Sequence, residues 1–130
     1  MSPSTIALFG EAEKGEYNFP YHCQKLDQLV DVLGNPPAES RGLFYAIQSL
    51  LYKQHLVFFR VRDEGFSLND YWDGLHILET NIIAPKLTAI CMPGLGDAKV
   101  VEAFIPLCQT YHSLLIFNER DFYDYLTCCG

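Results

Sequence analysis

Gly10 and Gly15 bracket Glu11, Glu13 and Lys14 in the turn GEAEKG, which follows the apolar run TIALF. A glycine-rich turn at a strand end can cradle phosphate on backbone N–H groups, hold a metal on its carboxylates, or turn a corner. The phosphate reading needs a lysine and a hydroxyl directly after the second glycine, the first for the phosphates and the second for magnesium. Glu16 and Tyr17 stand there instead. Neither GEAEKG nor PGLGDA supplies the G-x-G-x-x-G spacing of a dinucleotide site.

More carboxylates follow the other expected strands: Asp63 and Glu64, then Asp97 in the turn PGLGD, then Glu119 and Asp121. Parallel α/β sheets bind ligands outside the carboxyl ends of their strands, so Glu11, Glu13, Lys14, Asp63 and Asp97 form a candidate ligand-binding set. Magnesium-assisted phosphoryl transfer would ask for a carboxylate directly after a central strand. The third strand instead ends at Met92 and Pro93, and Asp97 reads as a helix cap. The preferred reading of these carboxylates is a solvated face with helix caps. His22, His55, His76 and His112 are never paired at ligand spacing on one helix face, and no G-x-S-x-G elbow is present. No catalytic residue, metal site or cofactor is therefore assigned.

The elements that would position these residues follow from apolar periodicity. Strands are expected at about Thr5–Phe9, His55–Arg62, Leu87–Met92 and Ser113–Phe117. Leu26, Leu29, Val30 and Leu33 lie at helical spacing and are stopped by Gly34 and Pro36-Pro37. A second helix is expected from about Ser40 with Leu43, Ile47, Leu50 and Leu51 on one face, and a third with Tyr71, Trp72, Leu75 and Leu78 after Ser67, an N-cap with Asp70 three residues on as a weaker relative of the capping box. Asp97 opens a fourth, in which Pro106 should kink or end the regular part, and Asn118 caps a fifth with Phe122, Tyr125 and Leu126 inward. The alternation predicts a single α/β domain over residues 1–130, with a largely parallel four-stranded sheet flanked by helices.

The 130 residues suffice for one self-supporting core, and 49% of them are apolar. A net charge of −7 with no Lys/Arg cluster argues against nucleic acid and anionic membranes as partners. No stretch is long enough to span a bilayer, and MSPSTIALFGE lacks a basic segment, which together predict a cytoplasmic protein. The five cysteines then read as reduced thiols, with Cys91 and Cys108 in the core, Cys23 unassigned, and Cys128 and Cys129 as an exposed tail without zinc or C-x-x-C spacing.

Taken in order, these features resemble the core domain of contractile phage tail sheath proteins. The resemblance is carried by Gly10, Ala12, Lys14 and Gly15, then Pro20, then Leu33-Gly34, then Arg60, Val61 and Arg62, and finally Pro93, Gly94 and Asp97 ahead of VVEAFIPLC. It spans about residues 6–117, without the terminal arms of that family and with KQH before the second strand where glycines are usual. It implies a non-enzymatic structural or protein-interaction module, associating with itself or a protein partner, in which Gly10, Gly15, Pro93 and Gly94 are structural turns. The alternative is a small-ligand or metal-binding α/β domain, enzymatic or not, that uses the acidic strand ends.

Overall fold

A computed structural model describes residues 4–80 and 86–128. Its strands are β1 (Thr5–Gly10), β2 (Pro20–Cys23), β3 (His55–Arg60), β4 (Leu87–Cys91) and β5 (Leu114–Ile116). The helices are α1 (Leu26–Leu33), α2 (Gly42–Leu51), α3 (Leu68–Leu78), α4 (Ala98–Tyr111) and α5 (Glu119–Cys128). The expected α/β class holds, but the sheet has five strands in the order β2-β3-β1-β4-β5 rather than four. β1, β3, β4 and β5 run parallel, and β2 pairs antiparallel with β3 on one edge, Pro20 opposite Phe59 and Cys23 opposite Leu56.

β2 escapes sequence periodicity because PYHC is short and its burial does not alternate: Tyr21 is half-buried, His22 exposed and Cys23 buried. Proline at its first position suits an edge, where one missing N–H costs the sheet no inner ladder bond. The central strands, by contrast, are apolar throughout because both faces are covered. Ile6 and Leu8 of β1 join a cluster with Leu29, Leu33, Leu43 and Phe122, which puts α1, α2 and α5 on one face. Ala7 and Phe9 point into a second cluster with Tyr71, Leu75, Val100 and Phe104, which puts α3 and α4 on the other. The connection from β1 to β3 runs one way across the sheet and those from β3 to β4 and β4 to β5 run the other. Direction and face change together, so all three parallel crossovers share one hand, as strand twist demands.

Cap chemistry sets several helix limits. Asp97 accepts the N–H of Val100 at 3.0 Å and Asn118 that of Asp121 at 2.9 Å, both as expected. Ser67 precedes α3 but its hydroxyl turns back to the N–H and carbonyl of Asp63, and Asp70 pairs with Arg62 instead of closing a capping box. α4 continues for five residues past Pro106; that ring is exposed, so only one solvent-side helix bond is lost. Cys23, Cys91 and Cys108 are buried free thiols, and burial lifts Cys23 and Cys108 to about 11. The expectation of an exposed tail at Cys128 and Cys129 concerns side chains outside the described residues.

Candidate functional site

β1 is the switch point of the sheet, since the chain leaves it for β3 on one side and later returns to β4 on the other. A cleft of about 570 Å³ opens there, at the carboxyl ends of the strands. Glu11 enters it from the end of β1, Asp63 and Glu64 from the end of β3, Pro93 and Gly94 from the end of β4, and Glu119 from the start of α5.

The centre of this region is the Glu64 carboxylate. It accepts the N–H of Arg41 at 2.7 Å, of Glu11 at 3.0 Å and of Gly42 at 3.1 Å. Glu11 answers by accepting the N–H of Glu64 at 2.9 Å, so β1 and β3 are laced together at their ends. Arg41 and Gly42 open α2, whose first N–H groups have no partner within the helix and carry its positive dipole end. A nucleotide-binding sheet would place phosphate at such a helix start. Here the chain's own carboxylate fills the position. Burial pushes the Glu64 pKa up, the three N–H donors pull it down, and the neighbouring Glu11 charge raises it again, for a net upward shift.

Two glycines make this close approach possible. A Cβ on Gly10 would lie 2.5 Å from the Gly42 Cα, and one on Gly42 would lie 2.4 Å from the Gly10 Cα. Gly10 is therefore required for packing against α2, while the positive φ in this turn belongs to Gly15, at 112°. Gly94 also has a positive φ, at 79°, in the turn after β4.

The GEAEKG turn presents the wrong polarity for phosphate. Two of its N–H groups are taken up within the fold, Glu11 on Glu64 and Lys14 on the Leu33 carbonyl at 3.1 Å, and just past the turn Glu16 donates to the Tyr21 hydroxyl. Its carbonyls face a cation, with the Arg60 guanidinium donating to Gly15 at 2.6 Å and to Ala12 at 3.1 Å. The Tyr17 ring lies 4.4 Å from the Arg60 guanidinium and 4.3 Å from that of Arg62. The turn is thus a corner clamped by β3, and the Arg60 Nε is buried without a hydrogen-bond partner among the described residues.

The candidate ligand set is divided by this geometry. Glu11 and Asp63 line the cleft. Glu13 accepts the N–H of Asn35 at 3.0 Å just past the end of α1, and Asp97 caps α4. Lys14 is exposed and does not line the cleft. Residues outside the set complete the lining: Glu39, Arg41 and Glu64 beside Tyr45, Phe66 and Phe117. Arg41 and Glu119 approach to 3.7 Å as a solvent-exposed pair, which contributes little. Sequence reasoning missed Glu64: it placed the helix start near Ser40, whereas the N-cap is Arg41, whose side chain makes no cap bond, and the first N–H groups of α2 are met by Glu64. Among the described residues no group of three His, Cys, Asp or Glu side chains is arranged to hold a metal ion, and no helix is long and apolar enough to cross a membrane.

Comparison with protein-family models, with curated proteins and with solved structures finds no match to this chain. The fold defines a class, an open mixed α/β sheet covered by helices on both faces. That class serves many chemistries, so function has to be argued from the cleft and the surface.

Proposed function

We propose that this protein is a non-enzymatic protein-interaction module of the cytoplasm, one that acts by associating with itself or with a protein partner. The observation that carries the reading is the Glu64 carboxylate seated on the N–H groups of Arg41, Gly42 and Glu11. An anionic ligand arriving at the start of α2 would have to displace an acceptor already held by three donors. It would also meet Glu11, Glu39, Asp63 and Glu119 around it, with Arg41 as the nearby cation. The GEAEKG turn, which directs the carbonyls of Ala12 and Gly15 at Arg60 and donates the Lys14 N–H to Leu33, supports the same reading. So does the motif order shared with the tail sheath core domain, which in that resemblance serves assembly rather than catalysis.

Amide NMR tests this directly. Titration with magnesium and a panel of nucleotides and phosphosugars should leave the signals of Glu11, Arg41, Gly42 and Glu64 unmoved. Saturable shifts at these amides would overturn the reading and make the cleft a ligand site.

A further inference from the structure

The two ends of the sheet differ in chemistry. At the carboxyl end, Phe66 stands 74% exposed beside Asp63, with Glu39 and Glu119 lining the same cleft. Its turn is tied: the N–H groups of Phe66 and Ser67 both reach the Asp63 carbonyl at 2.9 Å, and Gly65 donates to the buried Tyr71 hydroxyl at 2.6 Å. Phe66 is therefore held out on an ordered support and does not fold back onto the protein.

At the amino end, a recess of about 510 Å³ is lined by Leu26, Leu50 and Leu51 together with Lys25, Lys53 and His55. Leu51 is 56% exposed and Leu26 38%. These residues come from the starts of α1 and β3 and the end of α2, and the pairing of Cys23 with Leu56 fixes them at the amino end of the parallel strands. One pole carries an exposed aromatic side chain in a cleft where acids outnumber the single cation Arg41, and the opposite pole an apolar recess with Lys25, Lys53 and His55 in its lining. Single exposed apolar side chains are ordinary on a surface; apolar surfaces set among opposite charges at the two poles are not.

We propose that a second copy of this chain docks head to tail, Phe66 of one copy seating on Leu26, Leu50 and Leu51 of the next, with Asp63 facing Lys25 and Lys53. This rests on the interaction-module reading and gives it a surface. The charges steer and orient the encounter, and burying the ring and the leucines supplies the attraction. The two surfaces sit about 20 Å apart along a six-residue strand, at opposite ends of the molecule. The contact is therefore heterologous and leaves a free knob and a free recess at the two ends of every open assembly, so growth does not stop at a dimer.

Sedimentation velocity of the reduced full chain across a wide concentration series is the test. The sedimentation coefficient should rise with concentration at low salt and fall back at high salt, where the charges are screened. Phe66→Ser removes the knob and Leu51→Glu spoils the recess. Both sites are exposed, so circular dichroism should report an unchanged fold, with Phe66→Leu and Leu51→Met as variants that keep association. Each of the first two alone should associate about tenfold or more weakly than the wild type. Mixed in equal amounts they should form a dimer and nothing larger, because each retains the surface the other lacks. A wild type that stays monomeric, growth that ends at a dimer, or variants that associate as the wild type does would each overturn the proposal. In the last case association through another surface would leave the interaction-module reading intact, whereas ligand-induced shifts at Glu64 would remove that reading without altering the sedimentation result.

Discussion

Glu64 shows how a single carboxylate decides between two uses of the same architecture. Its three backbone donors, two at the start of α2 and one at the end of β1, would otherwise lose their acceptor, so Glu64→Ala should destabilise the fold by about 1–3 kcal/mol in urea unfolding at neutral pH. The pH dependence has the opposite sense from that of a salt-bridged acid. Burial holds the Glu64 pKa above its ordinary value, so the folded state binds this proton more tightly than the unfolded chain. The associated stability is fully present below the ordinary glutamate value of about 4.3 and is lost as pH rises through the folded value. Glu64→Gln removes that titration while keeping one acceptor oxygen. The stability difference between wild type and Glu64→Gln should therefore shift toward the wild type as pH is lowered. Parallel pH profiles for the two proteins would refute this account of the site.

At the scale of elements, the contact between β1 and α2 sets how closely a helix start can approach a strand end. Alanine at Gly42 would press a Cβ to within 2.4 Å of the Gly10 Cα, and the obstacle is backbone, which cannot swing aside. Overpacking of this kind costs about 1–3 kcal/mol, against at most about 1 kcal/mol that alanine recovers in helix propensity. Gly42→Ala should thus lower the urea midpoint, whereas Gly96→Ala, with nothing within 4 Å of the new Cβ, should leave it nearly unchanged. Equal effects of the two substitutions would contradict the close-approach argument. The same contact explains what could be read in advance. The apolar spacing of Leu26, Leu29, Val30 and Leu33 gave α1 its residues because burial of one face is a local pattern. The start of α2 was expected near Ser40 and falls at Gly42, because its cap is Glu64, more than twenty residues away. Asp97 and Asn118, whose caps lie within three residues, were legible.

For the whole molecule, the order of strands and the cleft between them depend on pairings between distant segments, to which periodicity is blind. Glu11 and Asp63 could be placed at strand ends from sequence, yet their meeting in one cleft required β1 and β3 to be neighbours, while Glu13 is taken by the Asn35 N–H past the end of α1 and Asp97 by the cap of α4. The strand that sequence missed should also be less stable than the centre of the sheet. β1 is paired on both sides, and Ile6, Ala7, Leu8 and Phe9 are fully buried beneath helices on both faces. β2 is four residues long, pairs only with β3 and leaves His22 exposed. Cooperative units with few buried apolar contacts open at lower free energy than the core. Native-state amide exchange in a urea series should therefore show β1 amides exchanging only through global unfolding, with the full denaturant slope, and the bonded amides of β2 exchanging through a smaller opening with a shallower slope. If β2 and β1 follow the same isotherm, the edge strand belongs to the cooperative core. Weak side-chain patterning would then not be a guide to weak attachment in this fold.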